Sequence, residues 1–383
     1  MKKLSRRFLD SLVSSYLVQG LNSGTNFLIK LGLAWLIAPA DFGLFAVVLL
    51  VVSVLNMVRD GGIELQAVRD REPALGSVFW FHFAGGILLA AGLWLAAPLF
   101  TGFGDGLPAA LRQFSPAVLF TALTSVPLLQ LHRTLQLAKT VVPRLAQLAT
   151  FAVLATWLAY AGQGVAALII AKVASELVLA VTLWLRVRGL GLPAFAFSWQ
   201  ETRRLLRGGR MLYLLAISDV LIIDIDKGIL SRYCAETVVG YYFFAWSVVF
   251  FVSKLVEPAC SKVLFPAFSR LADDAVRTAR LYTWMSLTVM LIEVPLYLAL
   301  ALHSSDLVTV LFPAVWSPMV GLISLLAFLP IIEPFSMFGL EVLRARGHDA
   351  PVVLTSLGGL FLMTVLGSIL TVRYGAPGMI LAN

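Results

Sequence analysis

Apolar residues along this chain fall into long runs separated by short polar or Gly/Pro-containing breaks. Each run approaches the ~20 residues that a helix needs to cross a hydrocarbon slab, so the pattern reads as membrane spans rather than as faces of a soluble core. The runs predict helices near 11–37, 42–60, 78–100, 111–132, 142–161, 164–186, 211–233, 238–257, 281–303, 315–341 and 351–373. After Arg373-Tyr374-Gly375-Ala376-Pro377 another apolar stretch begins at Gly378 and the sequence stops at Asn383, so a twelfth helix is expected to be cut short. The expected fold is all-α and integral to a membrane, with about 12 transmembrane helices.

The pattern also repeats. A shift of 197 residues lays Lys30 on Lys227, Leu33 on Leu230, Ala38 on Ala235, Gly43 on Gly240, Phe45 on Tyr242 and Asp60 on Glu257. Helices one to three fall on seven to nine, and later helices follow with a slip through longer loops. Both halves enter from the same side, so the repeat is parallel and predicts two pseudo-symmetric six-helix bundles. The expected organisation is an N-terminal lobe over 1–187, a cytoplasmic basic linker over 188–210 and a C-terminal lobe over 211–383 holding helices 7–11 and the start of 12. Bundles of this kind are expected to rock about a site near the bilayer midplane.

Composition sharpens this picture. The chain is 60% hydrophobic and 13% charged, against about 45–50% and about 25% for a soluble domain. With the N-terminus placed in the cytoplasm, 23 Lys and Arg residues collect at inner ends and loops, against Arg112, Arg232 and Arg373 outside. That asymmetry fixes the expected orientation, and one miscounted helix would scramble it. The net charge of +8 thus reflects topology, and no folded basic domain supports nucleic-acid binding. Met1-Lys2-Lys3 with Arg6 and Arg7 resembles the start of a signal peptide, but Gln19, Asn22, Asn26 and Lys30 interrupt the apolar region, and the segment reads as a retained span. Cys234 and Cys260 stand apart, and histidines 82, 132, 303 and 348 show no ligand spacing. No metal, cofactor or catalytic motif is expected, and no GxxxxGK[ST] loop is present for a nucleotide-driven pump.

An ionisable side chain at mid-bilayer costs on the order of 2.5–3.5 kcal/mol, so each one needs a partner, an aqueous cavity or a route to the interface. Helix seven carries Asp219, Asp224, Asp226 and Lys227. Asp219 and Asp226 share a face, Lys227 lies about 80° from Asp219, and Asp224 points about 140° away. Lys30 and Lys227, equivalent in the repeat, are candidate cations for an anionic group such as a pyrophosphate; the alternative is snorkelling, or pairing of Lys227 with Asp226. Asp219, Asp226, Glu293 and Glu333 are candidates for ion coupling or for lining a cleft. Glu293 stands near Pro295 and Glu333 precedes Pro334, where helices distort and backbone groups are freed. Lys172 and Glu176 have the i, i+4 spacing of an intrahelical ion pair. Asp60 and Glu257 are expected at inner helix ends, interfacial or paired with Arg59 and Lys254.

Four stretches carry a family resemblance. They are Leu33-Ala34-Trp35-Leu36 with Pro39-Ala40-Asp41-Phe42-Gly43-Leu44-Phe45; Asp226-Lys227 with Gly240-Tyr241-Tyr242; Ser261-Lys262-Val263-Leu264-Phe265-Pro266-Ala267-Phe268-Ser269-Arg270-Leu271, followed by Tyr282 and Pro295; and Leu311-Phe312 with Trp316-Ser317-Pro318. Through these the chain resembles the polysaccharide and O-antigen flippases of the multidrug/oligosaccharidyl-lipid/polysaccharide exporter superfamily, with Pro313 standing where glycine is usual. The resemblance implies a V-shaped pair of lobes in the bacterial inner membrane. They would move an undecaprenyl-pyrophosphate-linked oligosaccharide between leaflets, with membrane lipids and a coupling ion, H+ or Na+, as further partners. A multidrug cation antiporter of the same superfamily would prefer an acidic cleft. An integral-membrane glycosyltransferase or polymerase would need a sizeable outer loop, and none is expected here.

Overall fold

The computed structural model describes residues 20, 23–70, 74–104, 106–134, 136–188 and 196–383. Most of the first expected span before residue 23, part of the expected linker (189–195), and the side chains of Asp219, Glu257 and Ser261–Val263 lie outside the described residues. The described elements are helical: α1 (23–33), then α2 (Pro39–Asp60), α3 (Ile63–Arg69), α4 (Leu75–Ala96), α5 (Leu107–Arg133), α6 (Val141–Tyr160), α7 (Val165–Val187), α8 (Trp199–Tyr233), α9 (Glu236–Val249), α10 (Ser253–Arg270), α11 (Ala275–Leu302), α12 (Ser304–Leu311), α13 (Met319–Leu326), α14 (Glu333–Ala345), α15 (Asp349–Tyr374) and α16 (Ala376–Ala382). Among the described residues, seven segments are long and apolar enough to cross a membrane; they contain α2, α4, α5, α6, α7, α11 and α15. The expected all-α membrane architecture is borne out.

The chain divides into two compact units, Met1–Leu221 and Ile222–Asn383, with the boundary inside α8. In unit 1, α5 is central and packs on α2, α4 and α7. Its spanning window is 67% buried, against 17% for the span that contains α4. The exposed Leu88, Trp94 and Leu95 of α4 form the kind of surface that lipid tails cover. Lipid is as apolar as leucine, so the helices are held by close packing rather than by water exclusion. At Gly86 an added Cβ would lie 2.8 Å from the Ala122 Cβ, which is how closely α4 and α5 approach.

Two prolines inside α5, Pro116 and Pro127, each remove the N–H that would have met the carbonyl four residues back. Both freed carbonyls have donors. The Ser115 hydroxyl donates to the Arg112 carbonyl at 2.9 Å, and the Trp184 indole N–H of α7 donates to the Leu123 carbonyl at 2.9 Å.

Pro39, set in the first turn of α2 after the extended Ala38 (φ −69°, ψ 152°), has its φ pre-set for helix. Asp41 in the same turn accepts the backbone N–H of Val165 at the start of α7. The first stretch of the resemblance is therefore a structural joint. At its other end α2 stops on two left-handed glycines, Gly61 (φ 56°) and Gly62 (φ 78°), and the Asp60 carboxylate caps α3 by accepting from the N–H groups of Gly62 (3.2 Å) and Glu64 (3.1 Å). Asp60 thus faces backbone donors, while the Nη1 of the buried Arg59 donates to Asn56 and to the Val118 carbonyl.

Trp199–Arg210, within the segment expected to link the lobes, forms the first part of the 35-residue α8. Leu205 enters a core with Ile63, Ala67, Val78, Val126 and Leu129. The backbones of Gly209 and Gly62 meet so closely that a Cβ on either would strike the other's carbonyl oxygen. Arg204 pairs with Asp70 at 2.6 Å and Glu201 at 2.8 Å. These arginines therefore sit on a packed helix.

In unit 2 two expected spans are broken. The 238–257 span ends as α9 at Val249 and resumes as α10 at Ser253. The 315–341 span is α13, a turn region over 327–332, and then α14, which opens at Glu333 with Pro334 in its first turn. A proline in a first turn interrupts nothing, because its missing N–H has no intrahelical partner there. Trp316 is wholly buried, its ring 4.4 Å from that of Phe244 and 6.0 Å from those of Tyr241 and Phe312. Pro313 has φ −59°, so the position needs no glycine.

Candidate functional site

Charge enters the two units in different ways. In unit 1 a cavity of about 250 Å³ opens among α1, α2, α6 and α7, lined by Asn26, Lys30, Phe45, Leu49, Arg144, Gln147, Leu148, Phe151, Lys172, Ser175 and Glu176. A hydrogen-bonded chain crosses its wall. Arg144 Nη1 donates to Gln147 Oε1 at 3.2 Å, and Gln147 Nε2 donates to Glu176 Oε1 at 3.0 Å. The same carboxylate oxygen is 2.6 Å from Lys172 Nζ, the intrahelical pair that the spacing predicts. Among the described residues three cations, Lys30, Arg144 and Lys172, face one acid, Glu176. The lining therefore carries surplus positive charge in surroundings where a charge is felt more strongly than in water.

Lys227 of unit 2 is enclosed instead, at 3% exposure. Its Nζ lies 3.0 Å from Asp224 Oδ1, 3.0 Å from Asp226 Oδ1 and 2.9 Å from the Ile223 carbonyl. Three acceptors match the three N–H bonds of an ammonium. The Trp246 ring covers it at 4.8 Å. Asp226 Oδ2 accepts from the Tyr242 hydroxyl at 2.7 Å, and that hydroxyl accepts from Asn383 Nδ2 at 3.1 Å. Lys227 and Asp226 thus come together with Asp224, which the helical-wheel angle had set apart; at i, i+3 a lysine is long enough to span that angle.

Glu293 is buried on α11 and Glu333 opens α14, and both act electrostatically on Tyr297. The Tyr297 hydroxyl is 2.5 Å from that of Ser253. Asp219 is within α8, its side chain outside the described residues.

Two features were not anticipated. Arg144 reads in the sequence as a cytoplasmic helix-end residue, yet it lines the Lys30 cavity; Gln147 one turn further on is the signal that this face of α6 is polar. The second is a cluster of Asp60, Glu64 and His82 whose oxygen and nitrogen atoms lie within 4.8 Å of one another. Their spacing matches no motif.

These features define a multi-pass, all-α membrane protein that carries charged groups inside its helical units. Its fold is shared with the lipid II flippase MurJ in an inward closed conformation (TM-score 0.79, 13% identity, 98% of this chain and 84% of that one). It is shared too with an inward-facing multidrug resistance MATE family transporter of the MOP superfamily (TM-score 0.75, 13% identity, 94% and 90%). Residues 33–321 match the family described as polysaccharide biosynthesis protein, and the chain belongs to that family. Relatives include the succinoglycan biosynthesis transport protein ExoT of Rhizobium meliloti, 27% identical over 83% of this chain and 65% of its own length. Another is the lipopolysaccharide biosynthesis protein WzxC of Escherichia coli, 24% identical over 79% and 62%. The chain thus spans less than two thirds of the length of either.

Proposed function

We propose that this protein is a transporter that flips a lipid-linked oligosaccharide across the bacterial inner membrane, and that the Lys30 cavity holds the substrate's anionic phosphate or pyrophosphate. The observation that carries this reading is the cation surplus of the cavity: Lys30, Arg144 and Lys172 around a single acid. Arginine offers a fork that fits phosphate oxygens, and lysine adds a point charge. Membership of a polysaccharide biosynthesis family and the likeness to a transport protein of succinoglycan biosynthesis support the saccharide part of the substrate.

In this reading the two units alternate access about the substrate, with the N-terminus in the cytoplasm. Lys227 takes a different role from Lys30. With its donors committed to Asp224, Asp226 and a carbonyl, it belongs to an acidic, buried network in unit 2. That network, or the group of Glu293, Glu333 and Tyr297, is where H+ or Na+ would couple, with Asp219 as a further candidate.

The test is flipping of a fluorescent undecaprenyl-pyrophosphate oligosaccharide in liposomes. Lys30→Ala and Arg144→Ala should each slow it about tenfold or more, the effect of losing a charge-assisted contact of about 1.5–3 kcal/mol. Normal flipping in both folded variants would remove the cavity from the mechanism. A wild type that flips nothing and exports a soluble cation would replace the reading with the antiporter one.

A further inference from the structure

His82 projects from α4 with its side chain wholly buried, and among the described residues neither ring nitrogen has a hydrogen-bond partner. Leaving a buried polar group unmatched is costly, so the position calls for an explanation. Its Nε2 faces two carboxylates, 3.9 Å from Asp60 Oδ1 and 3.9 Å from Glu64 Oε1. Those distances are too long for hydrogen bonds. They leave room for one ion between the groups: ligand atoms that each lie about 2.0–2.2 Å from an ion are separated by up to about 4.4 Å, and the three here lie within 4.8 Å of one another, so a small inward turn of the carboxylates brings all three to one ion.

We propose that Asp60, Glu64 and His82 form a binding site for a divalent transition-metal ion, in the chemical class of Zn2+, Mn2+ or Fe2+. One imidazole and two carboxylates make a borderline donor set. The nitrogen disfavours Ca2+ and Mg2+, and the absence of thiolate or thioether from the set disfavours Cu+.

The geometry is prepared in the way such sites usually are. Asp60 is oriented by the backbone N–H groups of Gly62 and Glu64, the kind of outer hydrogen bonding that fixes a ligating carboxylate. Asp60 and Glu64 are partly exposed, with side-chain exposures of 23% and 39%. An ion can therefore arrive from the carboxylate side and keep water in its remaining positions. Arg59 is the cation that acts on His82 and Asp60. Its Nη1 is turned to Asn56 and Val118, and two carboxylates against one guanidinium leave the site net negative. Spacing along the chain hides this site, because its residues come from three helices and match no motif.

A bound ion would join the end of α2, the first turn of α3 and the middle of α4. Between Asp60 and Glu64 lies the Gly61–Gly62 turn against which α8 packs through Leu206 and Gly209. The ion would hold that turn in shape, and with it the seat of the basic start of α8. This is a structural or regulatory role, separate from substrate binding in the Lys30 cavity.

The test uses the untagged protein in detergent, stripped with a chelator and titrated with Zn2+ and, separately, with Mn2+, with bound metal and melting temperature both measured. Wild type should bind about one Zn2+ per chain and melt at a higher temperature when loaded. Glu64→Gln changes a partly exposed side chain and keeps its shape; it should lower the affinity about tenfold or more and leave the melting temperature of the stripped protein unchanged. His82→Gln should abolish binding. Since His82 is buried, this variant counts only if it remains monodisperse, and otherwise Glu64→Gln decides alone. A wild type that takes up no Zn2+ or Mn2+ would overturn the proposal, as would a Glu64→Gln protein that binds as tightly as wild type.

Discussion

The two copies of the internal repeat share a frame and differ in what they do with their lysine. Leu33 and Leu230 are both buried, as are Phe45 and Tyr242. Ala38 (φ −69°, ψ 152°) and Ala235 (φ −64°, ψ 149°) make the same extended step before α2 and α9. On that common scaffold Lys227 meets Asp224, Asp226 and Trp246, whereas the positions equivalent to these three around Lys30 are Phe27, Ile29 and Leu49. One copy has neutralised its cation locally. The other directs its cation to a cavity where Arg144 and Lys172 add to it. The two copies thus share a backbone step and differ in the surroundings of their lysine: a closed ion cluster in one and, in the proposed reading, an anion-holding chamber in the other.

The comparison can be broken most forcefully at Asp226. Replacing it by alanine leaves Lys227 with one carboxylate and takes away the acceptor of the buried Tyr242 O–H, so Asp226→Ala should cost about 3–5 kcal/mol in denaturant unfolding. Adding Lys227→Met should return much of that loss. A single variant as stable as wild type would mean the cluster is no anchor. Next in size is Trp246→Leu, which gives unit 2 the residue that unit 1 has at Leu49. Losing ring packing and the ring's attraction for the lysine should cost about 2–3 kcal/mol in the same assay.

The reverse graft is gentler. Ile29→Asp offers Lys30 the acid that Lys227 has, and should leave the fold intact while reducing phosphate-lipid binding and flipping about tenfold, or about 1.4 kcal/mol. Undiminished transport would show that Lys30's charge is not what the cavity uses.

Much of this was legible beforehand. Helices with long apolar runs and clear breaks, such as α2, α5 and α7, appear where periodicity and length put them. The repeat was readable because residues such as Ala38 and Ala235 are constrained by the same backbone step. The Lys172–Glu176 pair followed from spacing alone. What stayed hidden depends on distance through space. Hydropathy runs straight across the break between α13 and α14, and the Glu333-Pro334 step marked a distortion there without showing that the helix stops and restarts. Asp224 was set apart by an angle that measures Cα directions and ignores the reach of a lysine. His82 looked isolated because the acids facing it sit on two other elements.

The meeting of Gly62 with Gly209 also bears on how the protein is made. Leu205 completes a core whose other members, Ile63, Ala67, Val78, Val126 and Leu129, precede it in the chain. As the polypeptide leaves the ribosome, α2 through α5 enter the bilayer with that niche still open. Only when α8 has been synthesised can its glycine face close the gap. The first unit therefore finishes assembling only when the opening residues of α8 arrive, and any helper that guards unfinished membrane bundles would have its longest opportunity in that interval.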